Sequence, residues 1–138
     1  VGSASVHVDD RVCGQIDSGL LALIAVRPDD GPPQAERLLE RMLDYRVFPD
    51  AEGRMNRSLR DTGGGLLLVP QFTLAADTRK GNRPGFSTAA PPEMARQRFE
   101  QLLSLARTLH PVVASGEFGA HMQVSLVNDG PVTFWLES

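Results

Sequence analysis

The sequence predicts an α+β domain with a strongly curved, mixed β-sheet and two helices. The predicted elements follow in the order strand, strand, strand, helix, strand, helix, strand, strand, which is not the regular alternation of a doubly wound fold. Two segments repeat apolar residues at helical spacing, and each begins with a pair of prolines. The 138 residues fit one domain spanning 1–138, and 41% hydrophobic residues are enough to form a packed core.

The N-terminal part indicates three strands. Ala4–Val8 and Val12–Ile16 are β-branched runs joined by a short turn at Asp9-Asp10, which is typical of a hairpin. Gly19–Val26 is a continuous apolar run that is too short for a buried helix and is followed by Pro28. We therefore expect Gly19–Val26 to be a buried strand.

Two amphipathic helices are predicted, one after Pro32-Pro33 and one after Pro91-Pro92. Proline is well tolerated in the first helical turn, where its missing N–H would have no partner. The apolar stripe of the first helix consists of Ala35, Leu38, Leu39, Met42 and Leu43, and that of the second consists of Ala95, Phe99, Leu102, Leu103 and Ala106.

The remaining predicted elements are strands and polar loops. Leu66–Ala75 reads as a central strand interrupted by Pro70, and a polar loop follows over Asp77–Ser87. Phe118–Val127 and Val132–Leu136 read as two further strands, separated by the turn residues Asn128-Asp129-Gly130-Pro131.

Composition excludes several classes of protein. The longest apolar runs are too short to cross a bilayer, so we expect no membrane association. A single cysteine, Cys13, cannot form an intramolecular disulfide, which favours a reducing, cytoplasmic setting. The net charge of −3 argues against a wholly basic nucleic-acid-coating protein but permits local phosphate sites. Arg79, Lys80 and Arg83 form one basic cluster, and Arg54, Arg57 and Arg60 form another.

Common catalytic and cofactor motifs are absent. The chain contains no nucleophile elbow, phosphate loop or dinucleotide-binding fingerprint, and its three histidines show no metal-ligand spacing. The sequence therefore predicts neither a cofactor nor a metal.

Two short segments carry polar groups that could line a binding pocket. Gln71 and Thr73 lie two residues apart and would project from one face of a strand, although an ordinary strand is the simpler interpretation of this segment. Gly130-Pro131 would present two closely spaced carbonyls if its bond were cis, although an ordinary turn is again the simpler interpretation.

At these two segments the sequence resembles the D-aminoacyl-tRNA deacylase family, also called the D-tyrosyl-tRNA deacylase family. The family motifs Ser-Gln-x-Thr-Leu and Asn-x-Gly-Pro-x-Thr read here as Pro70-Gln71-Phe72-Thr73-Leu74 and Asn128-Asp129-Gly130-Pro131-Val132-Thr133. The resemblance extends over the chain through Ala4-Ser5-Val6, Tyr45-Arg46-Val47-Phe48, Thr73–Asp77, Arg83-Pro84, Phe86-Ser87 and Met122-Gln123-Val124-Ser125-Leu126.

The resemblance implies a barrel-like sheet, a homodimer and hydrolysis of the ester that joins a D-amino acid, or glycine, to tRNA. It implies that Gln71, Phe72 and Thr73 line the catalytic pocket, with backbone N–H groups near Phe72 holding the ester carbonyl. It also implies that a cis Gly130-Pro131 segment enters the partner's pocket, binds the substrate α-amino group and leaves no room for an L side chain. We expect Arg79, Lys80 and Arg83 to contact tRNA phosphates.

The sequence departs from the family pattern at two places. Pro70 replaces the motif serine and so lacks both its hydroxyl and its N–H. The family has an N-terminal strand ending in Gln-Arg before the position of Val1, with an arginine that is thought to brace the Gly-Pro segment. We expect this strand to precede Val1 in the complete protein.

Alternative functions and mechanisms remain open at this point. Thr73 is either a nucleophile or a positioning group, and in the second case the 2′-hydroxyl of the terminal ribose assists hydrolysis. A threonine esterase would need a base close to Thr73, for which His121 is the only candidate. A non-catalytic nucleic-acid-binding dimer of the same fold would use the basic clusters on an extended surface.

Overall fold

Two three-stranded sheets, one two-stranded ribbon and three α-helices make up the computed structural model, which describes residues 1–138. The strands are β1 (Ser3–Val8), β2 (Arg11–Ile16), β3 (Gly19–Ile24), β4 (Phe48–Pro49), β5 (Met55–Arg57), β6 (Gly65–Pro70), β7 (Val113–Ser115) and β8 (Gln123–Val127). The helices are α1 (Pro32–Asp44), α2 (Leu59–Thr62) and α3 (Pro92–Leu109), and a single 3-10 turn covers Phe72–Ala75.

The strands form one antiparallel sheet and one parallel sheet. The antiparallel sheet has the order β2-β1-β8 and contains the predicted hairpin, whose turn includes Asp9 at a φ of 54°. The parallel sheet has the order β3-β6-β7, and β4 pairs only with β5. The mixed α+β class is therefore confirmed, while the hydrogen bonds divide the strands among several sheets.

Strand β6 is the centre of the core because both of its faces are buried. Leu66 and Leu68 pack with residues of α1, α2 and α3, whereas Leu67 and Val69 pack against Val6 and its neighbours in the antiparallel sheet. A parallel strand covered on both faces needs apolar residues at successive positions, which explains the continuous run in this segment.

Both long helices begin at the predicted proline pairs, and their apolar stripes face this core. Leu39, Met42 and Leu43 are buried on α1, and Phe99 and Leu102 are buried on α3. The third helix, α2, was not predicted. It is a single turn in which the Ser58 hydroxyl accepts a hydrogen bond from the Asp61 N–H, and the Asp61 carboxylate accepts one from the Ser58 N–H.

Three strand predictions need correction. The predicted strand Leu66–Ala75 ends at Pro70, where the chain turns and the Gln71 N–H donates to the Ile24 carbonyl over 2.7 Å. The predicted strand Phe118–Val127 is a strand only from Gln123, because residues 117–120 form a glycine-containing turn.

The third correction concerns Val132–Leu136, which is not a strand because no neighbouring backbone pairs with it. The chain end is instead held by α1. The Arg41 guanidinium donates to the Glu137 carbonyl over 2.7 Å, and the Ser138 hydroxyl donates to the Gln34 carbonyl over 2.8 Å.

None of the helices combines the length and apolar composition needed to cross a bilayer.

Candidate active site

The predicted residues Gln71, Phe72 and Thr73 lie together in the 3-10 turn that follows β6. The Gln71 side-chain amide donates to the Thr73 hydroxyl oxygen over 2.5 Å. Phe72 and Thr73 are exposed, and Gln71 is half-buried. The turn, and not the alternation of a strand, brings the two polar side chains together.

Two backbone donors of this turn have no acceptor within the chain. The N–H groups of Phe72 and Thr73, the first two residues of the turn, take part in no hydrogen bond. The first N–H groups of any helical turn lack an internal partner, because the carbonyls that they would reach lie before the turn. This surface therefore offers two adjacent N–H donors beside an exposed hydroxyl.

No basic side chain forms a hydrogen bond with the Thr73 hydroxyl. Its one hydrogen bond is the bond from Gln71, and neither His7 nor His121 makes a side-chain hydrogen bond. His110 is buried, and its ring Nε2 lies 2.6 Å from the Gly64 carbonyl oxygen. An arrangement with a nucleophilic threonine and an adjacent general base is therefore absent from this chain.

The basic loop after the 3-10 turn is partly neutralised by Asp77, which lies just outside the cluster of Arg79, Lys80 and Arg83. Asp77 and Gly85 exchange backbone hydrogen bonds of 2.7 and 2.9 Å, which close the loop. The Arg79 guanidinium binds both oxygens of the Asp77 carboxylate, each at 2.9 Å. This pairing lowers the pKa of Asp77 to about 2 and raises that of Arg79. Lys80 and Arg83 are exposed and form no ion pair.

The second basic cluster is also partly occupied by contacts within the chain. Arg60 forms an ion pair with Asp44 at 2.9 Å, and the Arg57 guanidinium donates to the Asp61 carbonyl over 3.0 Å. Only the Arg54 side chain makes no such contact. This cluster therefore has fewer arginines available to bind a phosphate than its three arginines in sequence indicate.

The Gly130-Pro131 bond is cis, in agreement with the expectation from the resemblance. Both residues are exposed, and the Asn128 side chain closes the loop that holds them. Its oxygen accepts from the Val132 N–H over 3.1 Å, and its amide donates to the Thr133 hydroxyl over 3.0 Å. Asn128 carried no predicted role, although its place in the second motif was a signal for one.

Within one chain, no hydrogen bond joins the Gly130-Pro131 segment to the residues of the 3-10 turn. The sequence-predicted residues therefore form two groups, the 3-10 turn and the Gly-Pro loop. Each has its own supporting hydrogen bonds.

An exposed aromatic pair lies beside the 3-10 turn. The ring centroids of Phe72 and Phe86 are 5.2 Å apart, and the two residues are 56% and 44% exposed. The closure of the basic loop at Asp77 and Gly85 returns the chain to this position, so that Phe86 lies against Phe72. No sequence pattern marked Phe86 for this role, because a lone aromatic in a polar loop has no periodicity.

Comparison with known proteins gives consistent similarities over the whole chain. A family model described as D-Tyr-tRNA(Tyr) deacylase matches residues 1–137. A D-aminoacyl-tRNA deacylase of Xanthomonas oryzae pv. oryzae is 66% identical over 137 residues, which cover 99% of this chain and 94% of the relative.

Two solved structures are also similar. One, named c-Myc DNA Unwinding Element Binding Protein, has a TM-score of 0.95 and 36% identity, and the match covers 100% of this chain and 94% of that one. The other, described as a probable eukaryotic D-amino acid tRNA deacylase, has a TM-score of 0.71 and 18% identity, with coverage of 89% and 87%. The second comparison indicates the fold alone.

Proposed function

Because this chain belongs to the D-Tyr-tRNA(Tyr) deacylase family, we propose that it is a hydrolase that cleaves the ester bond between tRNA and a D-amino acid or glycine and rejects L-aminoacyl-tRNA. The observation that supports this best is the pair of free N–H groups at Phe72 and Thr73, next to the Gln71–Thr73 hydrogen bond. These donors suit an ester carbonyl whose oxygen becomes negative during hydrolysis.

The proposed mechanism depends on positioning and on polarisation of the carbonyl. Water attacks the carbonyl carbon, the carbonyl oxygen gains negative charge opposite the two N–H groups, and the bond to the ribose oxygen then breaks. The products are the free amino acid and tRNA with its hydroxyl restored. Thr73, fixed by Gln71 and without a neighbouring base, orients the substrate. The 2′-hydroxyl of the terminal ribose assists the proton transfer.

We assign the rejection of L substrates to the carbonyls of Gly130 and Pro131, donated by the partner subunit. A steric filter discriminates only if its wall does not move. The two hydrogen bonds of the Asn128 side chain restrain this loop against such movement. The two carbonyl oxygens accept hydrogen bonds from the α-amino group of the substrate, and the side chain of an L-amino acid would collide with the Gly130-Pro131 segment.

A homodimer is part of this proposal because the two groups of residues are not joined within one chain. The exposed apolar side chains Leu126, Val127, Phe134 and Trp135 flank the Gly-Pro loop on both sides in sequence. Exposed apolar patches of this kind are typical of protein interfaces. We place the dimer contact on this surface.

The finer features of the fold also belong to the proposal. We propose that the two three-stranded sheets are parts of one barrel-like sheet, because β2 packs against β6 and β7. Residues 1–138 form a single domain in this view, since β6 belongs to both hydrophobic clusters. The site of action is the cytoplasm, where aminoacyl-tRNA is used.

Lys80 and Arg83 are proposed to contact tRNA phosphates, with a smaller part for Arg79 because Asp77 already holds its guanidinium.

A DNA-binding dimer is the second candidate, favoured by the name of the solved structure at 36% identity. The two candidates differ in substrate, since an esterase needs only the aminoacylated end, whereas a duplex binder needs a basic surface of a helical turn or more.

The test is deacylation of D-tyrosyl-, L-tyrosyl- and glycyl-tRNA by the purified protein, with duplex DNA binding measured at the same salt concentration. We expect release of D-tyrosine and glycine and no release of L-tyrosine. Equal rates for the two enantiomers would refute the filter. Tight DNA binding without ester hydrolysis would favour the second candidate.

A further inference from the structure

A second surface feature lies between α3 and the turn that precedes β8. Four residues of α3 and residues 116–120 line a cleft of about 520 Å³. One wall is the ring of Phe118, whose centroid lies 6.5 Å from that of the buried Phe99. Phe118 therefore joins this wall of the cleft to the hydrophobic core.

The cleft begins next to the residues proposed to bind the ester. Its residue Gly116 donates an N–H to the Leu68 carbonyl of β6 over 2.8 Å. A Cβ atom at Gly116 would lie 3.3 Å from the Cδ of Pro70, the residue directly before Gln71. Gly116 therefore joins one end of the cleft to the end of β6 that leads into the 3-10 turn.

Arg96 gives the cleft a positive charge whose donors are largely free. Its guanidinium carbon lies 4.9 Å from the centroid of the Phe118 ring, so that the aromatic face supports the cation. The one carboxylate within ion-pair distance is that of Glu93, at 3.9 Å, and the Glu93 side chain is 93% exposed.

The acidic residues of the cleft do not neutralise Arg96. The Glu117 carboxylate pairs with Arg11 at 2.9 Å, and Glu100 forms no ion pair with Arg96. Glu100 nevertheless places a negative charge in the cleft, so an anion is favoured only at the Arg96 end. A phosphate fits this end because a guanidinium presents planar paired donors that match two phosphate oxygens.

We propose that Arg96 binds a backbone phosphate at the acceptor end of the RNA substrate, at a position separate from the loop that contains Lys80 and Arg83. This inference rests on the proposed function, since it assigns the cleft to the nucleotide part of the same substrate. Phe118 holds the guanidinium in place before binding, which reduces the conformational entropy lost on contact with the phosphate. Arg96 is thus a binding residue and makes no contact with the reacting ester.

The experiment compares Arg96→Ala with Arg107→Ala on two substrates. Arg107 is an exposed arginine on the same helix, about 16 Å further along its axis, and forms no ion pair. The substrates are D-tyrosyl-tRNA and D-tyrosyl-adenosine, which contains the ester and the base but no phosphate. Thermal unfolding of each variant checks that the fold is retained.

For D-tyrosyl-tRNA we expect Arg96→Ala to raise KM about tenfold, the loss typical of one charge-assisted hydrogen bond, with kcat nearly unchanged. The slope of log(kcat/KM) against log salt should become less steep by about one phosphate contact. For D-tyrosyl-adenosine, Arg96→Ala and the unaltered protein should be equal. Arg107→Ala should match the unaltered protein on both substrates.

An unchanged KM for tRNA in Arg96→Ala would overturn the inference, and so would an equal loss on both substrates, because the second result would assign Arg96 to the ester site or to folding. These results leave the proposed function intact. If the unaltered protein hydrolysed neither substrate, that result would instead overturn the proposed function, and the inference with it.

Discussion

The 2.5 Å hydrogen bond between Gln71 and Thr73 supports a positioning role for the Thr73 hydroxyl in the proposed reaction. Its oxygen is an acceptor for the Gln71 amide, and no basic side chain of the same chain hydrogen-bonds to it. Thr73→Ala should therefore lower kcat/KM for D-tyrosyl-tRNA by about two- to tenfold, the value of one hydrogen bond. Complete loss of activity in single-turnover measurements would instead identify Thr73 as the nucleophile.

The N–H of Phe72 can be removed without removing the turn. Proline is tolerated at the first position of a helical turn, so we expect Phe72→Pro to delete this donor and to keep the turn. We expect kcat to fall by about 100-fold or more, as for loss of one donor to an oxyanion. Phe72→Ala keeps the N–H and loses only the ring, so it should be much more active. Equal activities of Phe72→Pro and Phe72→Ala would show that the Phe72 N–H takes no part in the mechanism.

Gly130 occupies a backbone conformation that admits no side chain. Its φ is +145°, and a Cβ atom would lie 2.7 Å from the Val132 Cγ2 and 3.1 Å from the Val132 nitrogen. Gly130→Ala should lower D-tyrosyl-tRNA deacylation about tenfold or more, because the loop must move to relieve this contact. Gly53→Ala is the matched control, with a φ of +80° and no neighbour within 4 Å. Unchanged D-tyrosyl-tRNA deacylation by Gly130→Ala would contradict the proposal that the Gly130-Pro131 segment binds the substrate.

At the scale of elements, the basic loop depends on the pairing of Asp77 with Arg79. The folded pKa of Asp77, about 2, lies below its usual value of 3.8, so the pair stabilises the loop above pH 3.8 and the stabilisation is lost as pH falls through about 2. A carbon NMR titration of the Asp77 carboxyl should show this low pKa. In Arg79→Ala the pKa should return towards 3.8, and an unchanged value would show that Arg79 is not the cause.

The elements that could be predicted from the sequence are those with a strong periodic pattern and clear ends. Both long helices and the N-terminal hairpin are of this kind. The turn α2 was missed because four residues show no periodicity, although Ser58 and Asp61 have the spacing of a capping box. The strand predicted up to Ala75 was too long, because tertiary contacts and Pro70 end the pairing of β6.

The candidate site was predictable only through the resemblance. Gln71 and Thr73 alone indicated a strand face, and a polar pair on a strand has many explanations. The pairing of Asp77 with Arg79 was not predicted, because the acid lies just outside the basic cluster that composition defined. Arg96 and Phe118 meet only through tertiary structure, so no sequence pattern could have joined them.

In the whole molecule, the proposed active site needs two chains. The ester-binding turn and the Gly-Pro loop are each supported locally, yet no hydrogen bond connects them within one chain. The exposed apolar residues around the Gly-Pro loop provide the surface on which a second copy would bury area. We therefore propose that one subunit holds the ester while its partner tests the configuration of the α-carbon.

Mixing of two damaged subunits tests whether the active site is shared between chains. Phe72→Pro damages the ester-binding turn and Gly130→Ala damages the filter, so a mixed dimer contains one site built entirely from unaltered parts. After denaturation and refolding together at equal amounts, half of the dimers should be mixed, and D-tyrosyl-tRNA deacylation should recover to about a quarter of the unaltered rate, with L-tyrosyl-tRNA still rejected. A mixture no more active than the average of the two variants refolded separately would contradict a site shared between subunits.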